Sequence, residues 1–169
     1  MPLRLVLDTN VWLDWVVFDD AGVAPLKSAV ATGCAEIFIN DVCALELAAV
    51  LAYPRRKTIL GAGAQAACMA ECRRVARNVI APAVADLAAA YPLPKCRDVD
   101  DQKFLELARE CRADYLVTKD RLLLELARRK VRRAPFGIVT PAQFTAALAS
   151  RAEAGTPVMG MPVRENHNE

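Results

Sequence analysis

Five carboxylates, Asp8, Glu46, Asp98, Asp101 and Asp120, fall where apolar strand-like runs end or helix-like runs begin. Acids in such places converge when the strands run parallel, because an open α/β sheet collects its chemistry at the carboxyl ends of its strands. Several carboxylates crowded into a partly desolvated site repel one another and raise one another's proton affinity, so the cluster calls for a cation. Magnesium or manganese suits that place, since both prefer oxygen ligands and are commonly held by a few carboxylates, waters and substrate phosphate oxygens. Asp8, Glu46, Asp101 and Asp120 are the candidate ligands, with Asp98 beside them. Each also has a plainer reading: Asp8, Asp98 and Asp101 as helix caps, Glu46 as a solvated helix residue, Asp120 as a turn residue. Their shared position at strand ends favours a site, because unrelated structural roles have no reason to select one edge. Asp100 lacks that position and is read as solvent-facing.

The elements that must position these acids alternate along the chain. Leu3 to Leu7 is a β-compatible run that stops at Asp8-Thr9-Asn10, residue types suited to turns and helix caps. Ala24 to Thr32 reads as a helix closed by Gly33, and Glu36 to Ile39 as a second strand. Asn40 or Asp41 can cap a helix carrying Glu46 that Pro54 halts. Ala64 to Val79 is an alanine-rich amphipathic helix segment, and Ala83 to Ala90 reads as a short helix among prolines. Asp98 is placed as the N-cap of a helix running to Cys111, with Asp101 in its first turn. Tyr115 to Val117 is a strand ending at Thr118-Lys119-Asp120, followed by a helix over Leu122 to Arg129. Phe136 to Val139 is a further strand, and Pro141 opens a last helix ending near Ser150. Such alternation predicts an α/β fold with a mainly parallel sheet covered on both faces.

The 169 residues, 54% of them apolar, suit one domain with one core over residues 1–150, and 151–169 read as a flexible tail. The net charge of +2 says little, so any attraction to polyanions must come from clustering. Six cysteines without a recognisable leader point to thiols in a reducing cytosol rather than to disulfides. Cys68 and Cys72 lie one helical turn apart, but no second pair or nearby histidine completes a zinc set, so core packing is the reading. No apolar run is long enough to span a bilayer, which predicts a soluble, cytoplasmic protein.

Four blocks in order, Val6-Leu7-Asp8-Thr9-Asn10-Val11, Leu45-Glu46-Leu47 running into Leu51-Ala52-Tyr53-Pro54-Arg55, Cys96 to Leu105, and Leu116-Val117-Thr118-Lys119-Asp120, resemble the PIN-domain family. The subgroup they resemble is that of the toxin components of toxin–antitoxin pairs. The resemblance implies a three-layer α/β/α sandwich and a magnesium- or manganese-dependent ribonuclease. By motif position it implies Asp8, Glu46 and Asp101 as the three core acids, Asp120 as the fourth, and Asn10 and Thr118 as small polar supports. Asp98 matches the subgroup's Arg-Asp pair. It further implies an antitoxin partner folded in part over the acidic cleft or an adjacent groove, and a homodimer of the kind that PIN domains often form.

Cation-assisted attack of water on phosphorus needs no protein nucleophile, and the resemblance implies that it leaves a 5′-phosphate and a 3′-hydroxyl. The route through the 2′-hydroxyl usually relies on histidine, and the sole histidine, His167, lies in the tail. Arg55-Arg56-Lys57 is the candidate RNA contact, while Arg128 to Lys130 with Arg132 and Arg133 is equally a solvated helix end. Trp12 and Trp15 read as core or dimer contacts before base-stacking groups. The chief rival is a non-catalytic RNA- or partner-binding module. A haloacid-dehalogenase-like phosphatase needs an aspartate where Asn10 stands, and a dinucleotide-binding domain needs a glycine-rich turn after the first strand.

Overall fold

The computed structural model describes residues 1–53, 60–80, 92–128 and 133–154. Its elements in chain order are β1 (Leu3–Leu7), α1 (Thr9–Val16), a 3-10 turn (Ala21–Val23), α2 (Ala24–Ala31), β2 (Ala35–Ile39), α3 (Asp41–Ala52), α4 (Ala62–Val75) and β3 (Ala76–Asn78). They continue as α5 (Gln102–Glu110), β4 (Tyr115–Val117), α6 (Arg121–Ala127), β5 (Gly137–Val139) and α7 (Pro141–Ala154). Leu5, Val6 and Leu7 are buried in succession, as are Ile37, Phe38 and Ile39. Consecutive strand residues point to opposite faces, so burial of both requires helices on both sides of the sheet. The helices supply this cover. α2 and α7 pack together, α2 on β2 and α7 on β4 and β5; α3 packs with α1, α4 and α5, and α5 lies on β1 and β4. The result is the three-layer α/β/α sandwich, with a five-stranded, all-parallel sheet.

The strand order is β3-β2-β1-β4-β5. The chain winds outward from β1 through β2 to β3, then returns to add β4 and β5 on the other side. The crevice of such a sheet opens where the winding reverses, at the carboxyl ends of β1 and β4. Asp8 follows one of these strands and Thr118 the other.

Two local readings are corrected. The helix expected to reach Val79 stops at Val75, and Ala76–Asn78 become an edge strand beside Ile37, Phe38 and Ile39. Helical periodicity in an alanine-rich segment cannot register the unpaired edge of β2, whose backbone groups recruit these three residues; Arg77 then pairs with Glu36 at 2.7 Å. Asp98 is not the cap of α5. The N-cap position is Asp101, and Asp98 lies upstream, where its Oδ1 accepts the Asp100 N–H at 2.9 Å and closes a turn. The last helix also runs past Ser150 to Ala154. The segment Ala83 to Ala90 and residues 155–169 of the expected tail lie outside the described residues.

Gly33 has φ +73° directly after α2 and Thr32, the left-handed backbone expected of a glycine there. Trp12 and Trp15 are buried, with ring centroids 6.1 Å apart, which places both in the core. The six cysteines are free thiols; all but Cys34 are buried, and burial pushes Cys43 up to about 12. Among the described residues no helix is long and apolar enough to cross a membrane.

Gly137 is required where β5 meets β4, because a Cβ there would lie 2.7 Å from Cδ1 of Tyr115. The Tyr115 ring is itself held edge-on against Phe144, centroids 5.9 Å apart. Gly137→Ala should therefore destabilise the fold by ~1–3 kcal/mol, seen as a lower urea midpoint. An unchanged midpoint would mean that the Tyr115 ring yields freely.

Candidate active site

Asp8 joins three structural duties in one residue. Its N–H donates to Val117 O at 3.0 Å, carrying the β1–β4 ladder one step past the strand, and its carbonyl accepts the N–H groups of Val11 and Trp12 at 3.0 Å, opening α1. Its Oδ1 accepts the Asn10 N–H at 3.4 Å, a long capping bond, while Oδ2 accepts the Thr118 hydroxyl at 2.7 Å. The residue is only 3% exposed. Burial raises its proton affinity above the usual carboxylate range; Thr118 and the Asn10 N–H oppose this, and the charges of Asp120 and Glu46 add to it.

Thr118 is fully buried and acts as a relay. Its Oγ1 donates to Asp8 and accepts the Asp120 N–H at 2.9 Å, which sets the turn after β4. Asp120 then caps α6, its Oδ1 accepting the N–H groups of Leu122 and Leu123 at 2.7 and 3.1 Å. The cap engages one oxygen, and the charge of Asp120 acts on both Asp8 and Asp101. Asp101 differs from both. It occupies the N-cap position of α5 but makes no side-chain capping bond. Partial burial, followed by the charges of Asp8, Asp120 and Asp98, pushes Asp101 up to about 6, against an opposing contribution from Lys103. Three aspartates from three separate chain segments thus share one field, and Asp98 reaches the cluster through Asp101.

Glu46 faces the cluster from α3, on the third side. Its Oε1 accepts the Thr9 hydroxyl at 2.6 Å, and its Oε2 receives the Lys103 ammonium. Neither Thr9 nor Lys103 was singled out from the sequence. Thr9 lay hidden inside a capping motif, whereas Lys103 carried a signal: a positive side chain in the first turn of a helix opposes the helix dipole. Lys119 bonds the buried Asp14 at 2.6 Å and ties the turn after β4 to α1. The Asn10 side chain is exposed, so its backbone N–H is what reaches Asp8. Arg55, Arg56 and Lys57 lie outside the described residues, as do Arg129, Lys130 and Arg132.

A donor set of carboxylate oxygens fits a hard divalent cation. Its mutual repulsion is what such an ion would relieve. Among the described residues no three acidic, histidine or cysteine side chains stand close enough to hold one ion directly. Water molecules would complete the shell, as magnesium commonly requires.

A parallel α/β sandwich with an acidic crevice at its winding reversal is chemically suited to a hard cation. A family model described as the PIN domain matches residues 4–122, a span that includes all five acids. The chain belongs to the PIN domain family, a family of nucleases that generally use divalent metals. No curated protein and no solved structure matches it.

Two measurements probe the site electrostatics. Carboxyl-carbon NMR should show Asp101 titrating near pH 6, and Asp8→Asn should lower that midpoint by removing its foremost charged neighbour. The unfolded chain releases this proton near 3.8. The folded state therefore binds more protons between these values, and the stability contributed by the protonated Asp101 is lost as pH rises through about 6. A midpoint at the ordinary value would remove the repulsion from the account. Thr118→Val should cost ~1–3 kcal/mol in urea denaturation, because it strips a buried carboxylate of its donor. A neutral result would show Asp8 to be satisfied by water.

Proposed function

We propose that the protein is a divalent-metal-dependent endoribonuclease that hydrolyses RNA phosphodiester bonds, acting as the toxin of a toxin–antitoxin pair. The observation that carries the catalytic reading is Asp101: it sits at a helix N-cap without capping and is held up to about 6 by burial and the neighbouring acids. A purely structural aspartate would have used its carboxylate on the helix.

Asp8, Asp101 and Asp120 would hold magnesium or manganese, with Glu46 as a further ligand and Asp98 at the margin. When bound, the ion supplies positive charge that attracts the scissile phosphate and acidifies water. The chain's own residues do the positioning. Thr118 fixes the rotamer of Asp8 and the turn that presents Asp120, so two acids from β1 and β4 are aligned by one hydroxyl. Water attacks phosphorus in line, the 3′ oxygen departs with a proton, and the products carry a 5′-phosphate and a 3′-hydroxyl. The chain's one histidine, His167, is remote in sequence from every one of these acids, which disfavours the 2′-hydroxyl route.

The toxin assignment rests on the resemblance of the four sequence blocks to that subgroup. It implies action in the cytoplasm and a small antitoxin covering the acidic crevice. Arg55, Arg56 and Lys57 follow α3 in the chain and would guide the RNA backbone. Val42, Leu45 and Tyr53 are exposed on or just after α3 and offer apolar surface for a homodimer. A non-catalytic RNA- or partner-binding module is the second reading, favoured by the engagement of Glu46 with Lys103 and by the use of Asp120 as a cap.

The deciding experiment is cleavage of a mixed RNA substrate with manganese, with magnesium and with a chelator. The Asp8→Asn, Asp101→Asn double variant serves as the control. Cutting should require the metal and fall by about 100-fold or more in the variant, leaving 5′-phosphate ends. RNA binding without cutting under either metal would establish the module instead.

A further inference from the structure

Lys103 is the second residue of α5, at the helix end where the backbone dipole disfavours positive charge. Its ammonium is nevertheless held there, donating to Oε2 of Glu46 and to the carbonyl of Asp100, and lying 5.2 Å from the centroid of the Phe104 ring. The two side chains are 18% and 28% exposed, so the pair is shielded from solvent far more than a surface ion pair. The second oxygen of Glu46 is taken by Thr9 at 2.6 Å. Both oxygens of Glu46 are thus engaged within the protein, whereas Asp101 makes no capping bond. Lys103 also opposes the repulsion felt by Asp101, so its charge acts on that aspartate as well as on Glu46.

We infer that Lys103 is a tethered counter-cation of Glu46, which a divalent ion must displace before Glu46 can serve as its ligand. This rests on the reading of the acids as a metal site. The ammonium neutralises one carboxylate of a crowded set in the cation-free chain and so limits the cost of keeping the crevice assembled. The same contact weakens cation binding by the free energy needed to break it. It also makes Glu46 the last ligand to be recruited, after the aspartates have drawn the ion in.

The test measures Mn2+ binding through the electron paramagnetic resonance signal of the free ion, in wild type, Lys103→Met, Glu46→Gln, the double variant and Lys119→Met. Lys103→Met should bind Mn2+ about tenfold tighter, more than the few-fold effect of losing an exposed pair. Glu46→Gln should bind more weakly than wild type, and the double variant should exceed Glu46→Gln by less than about twofold, since the lysine acts chiefly through that carboxylate and otherwise only through its field on Asp101. Lys119→Met should change affinity by less than about twofold, because its ammonium pairs with Asp14 and not with Glu46. In the wild-type protein, whatever the variants' stability, the ammonium nitrogen resonance of Lys103 should shift when Mg2+ is added. No gain in Lys103→Met, an equal gain in Lys119→Met, a full gain of about tenfold that survives in the Glu46→Gln background, an unmoved resonance, or no Mn2+ bound by any form would each overturn the inference. None of these readouts uses RNA. The nuclease reading can therefore fail while the exchange at Glu46 stands, and the exchange can fail while cleavage persists.

Discussion

The interaction on which the rest depends is the hydrogen bond from the buried Thr118 hydroxyl to the buried carboxylate of Asp8, 2.7 Å across the ends of β1 and β4. Burying a carboxylate is costly unless donors meet it. Here the donors are an N–H from the first turn of α1, which is local, and the Thr118 hydroxyl, which is supplied only when β1 and β4 are adjacent. Their adjacency is itself the place where the winding of the sheet reverses. The topology and the acid are therefore mutually dependent: the fold places Asp8 at the crevice, and its bonds lock the register of the two strands that form it.

The acids gathered around Asp8 are not equivalent. Asp120 commits one oxygen to the α6 helix, Glu46 is neutralised by Lys103, and Asp98 closes a turn, while Asp101 makes no cap. A set of four identical ligands would repel too strongly to stay together without an ion. Dividing the acids among capping, ion pairing and an open aspartate lets the crevice persist before any cation arrives. Among the described residues no three of these side chains stand close enough to hold one ion directly, in keeping with this division of roles. A site preassembled around empty space would store repulsion that the core would have to offset.

Much of the fold was legible from local signals. The strand runs, the cap at Asn40 with its bond to Cys43, the glycine after α2 and the proline opening α7 all act within a few residues, and local chemistry is what a pattern records. Strand β3 was missed because nothing in Ala76-Arg77-Asn78 distinguishes it from the helix before it; the partner, β2, lies far back in the chain. Asp98 was placed as a cap because aspartate suits that role, yet Asp101 three residues on took the position. Thr9 escaped notice because it gains meaning only from Glu46, which no local window contains; Lys103 carried a local signal at its helix start, but its partner Glu46 lies far away in the chain.

The sequence by itself determined the alternation of elements, the family blocks and the identity of the acids, since each is written in residue type and short-range spacing. Only the tertiary structure decided which of those acids remain open. That outcome depends on partners from distant segments, Thr118 for Asp8 and Lys103 and Thr9 for Glu46, whereas the bond that Asp120 makes to the α6 backbone is local. Burial sets the proton affinity of Asp8 and Asp101, and burial is a property of the packed sandwich rather than of any stretch of chain.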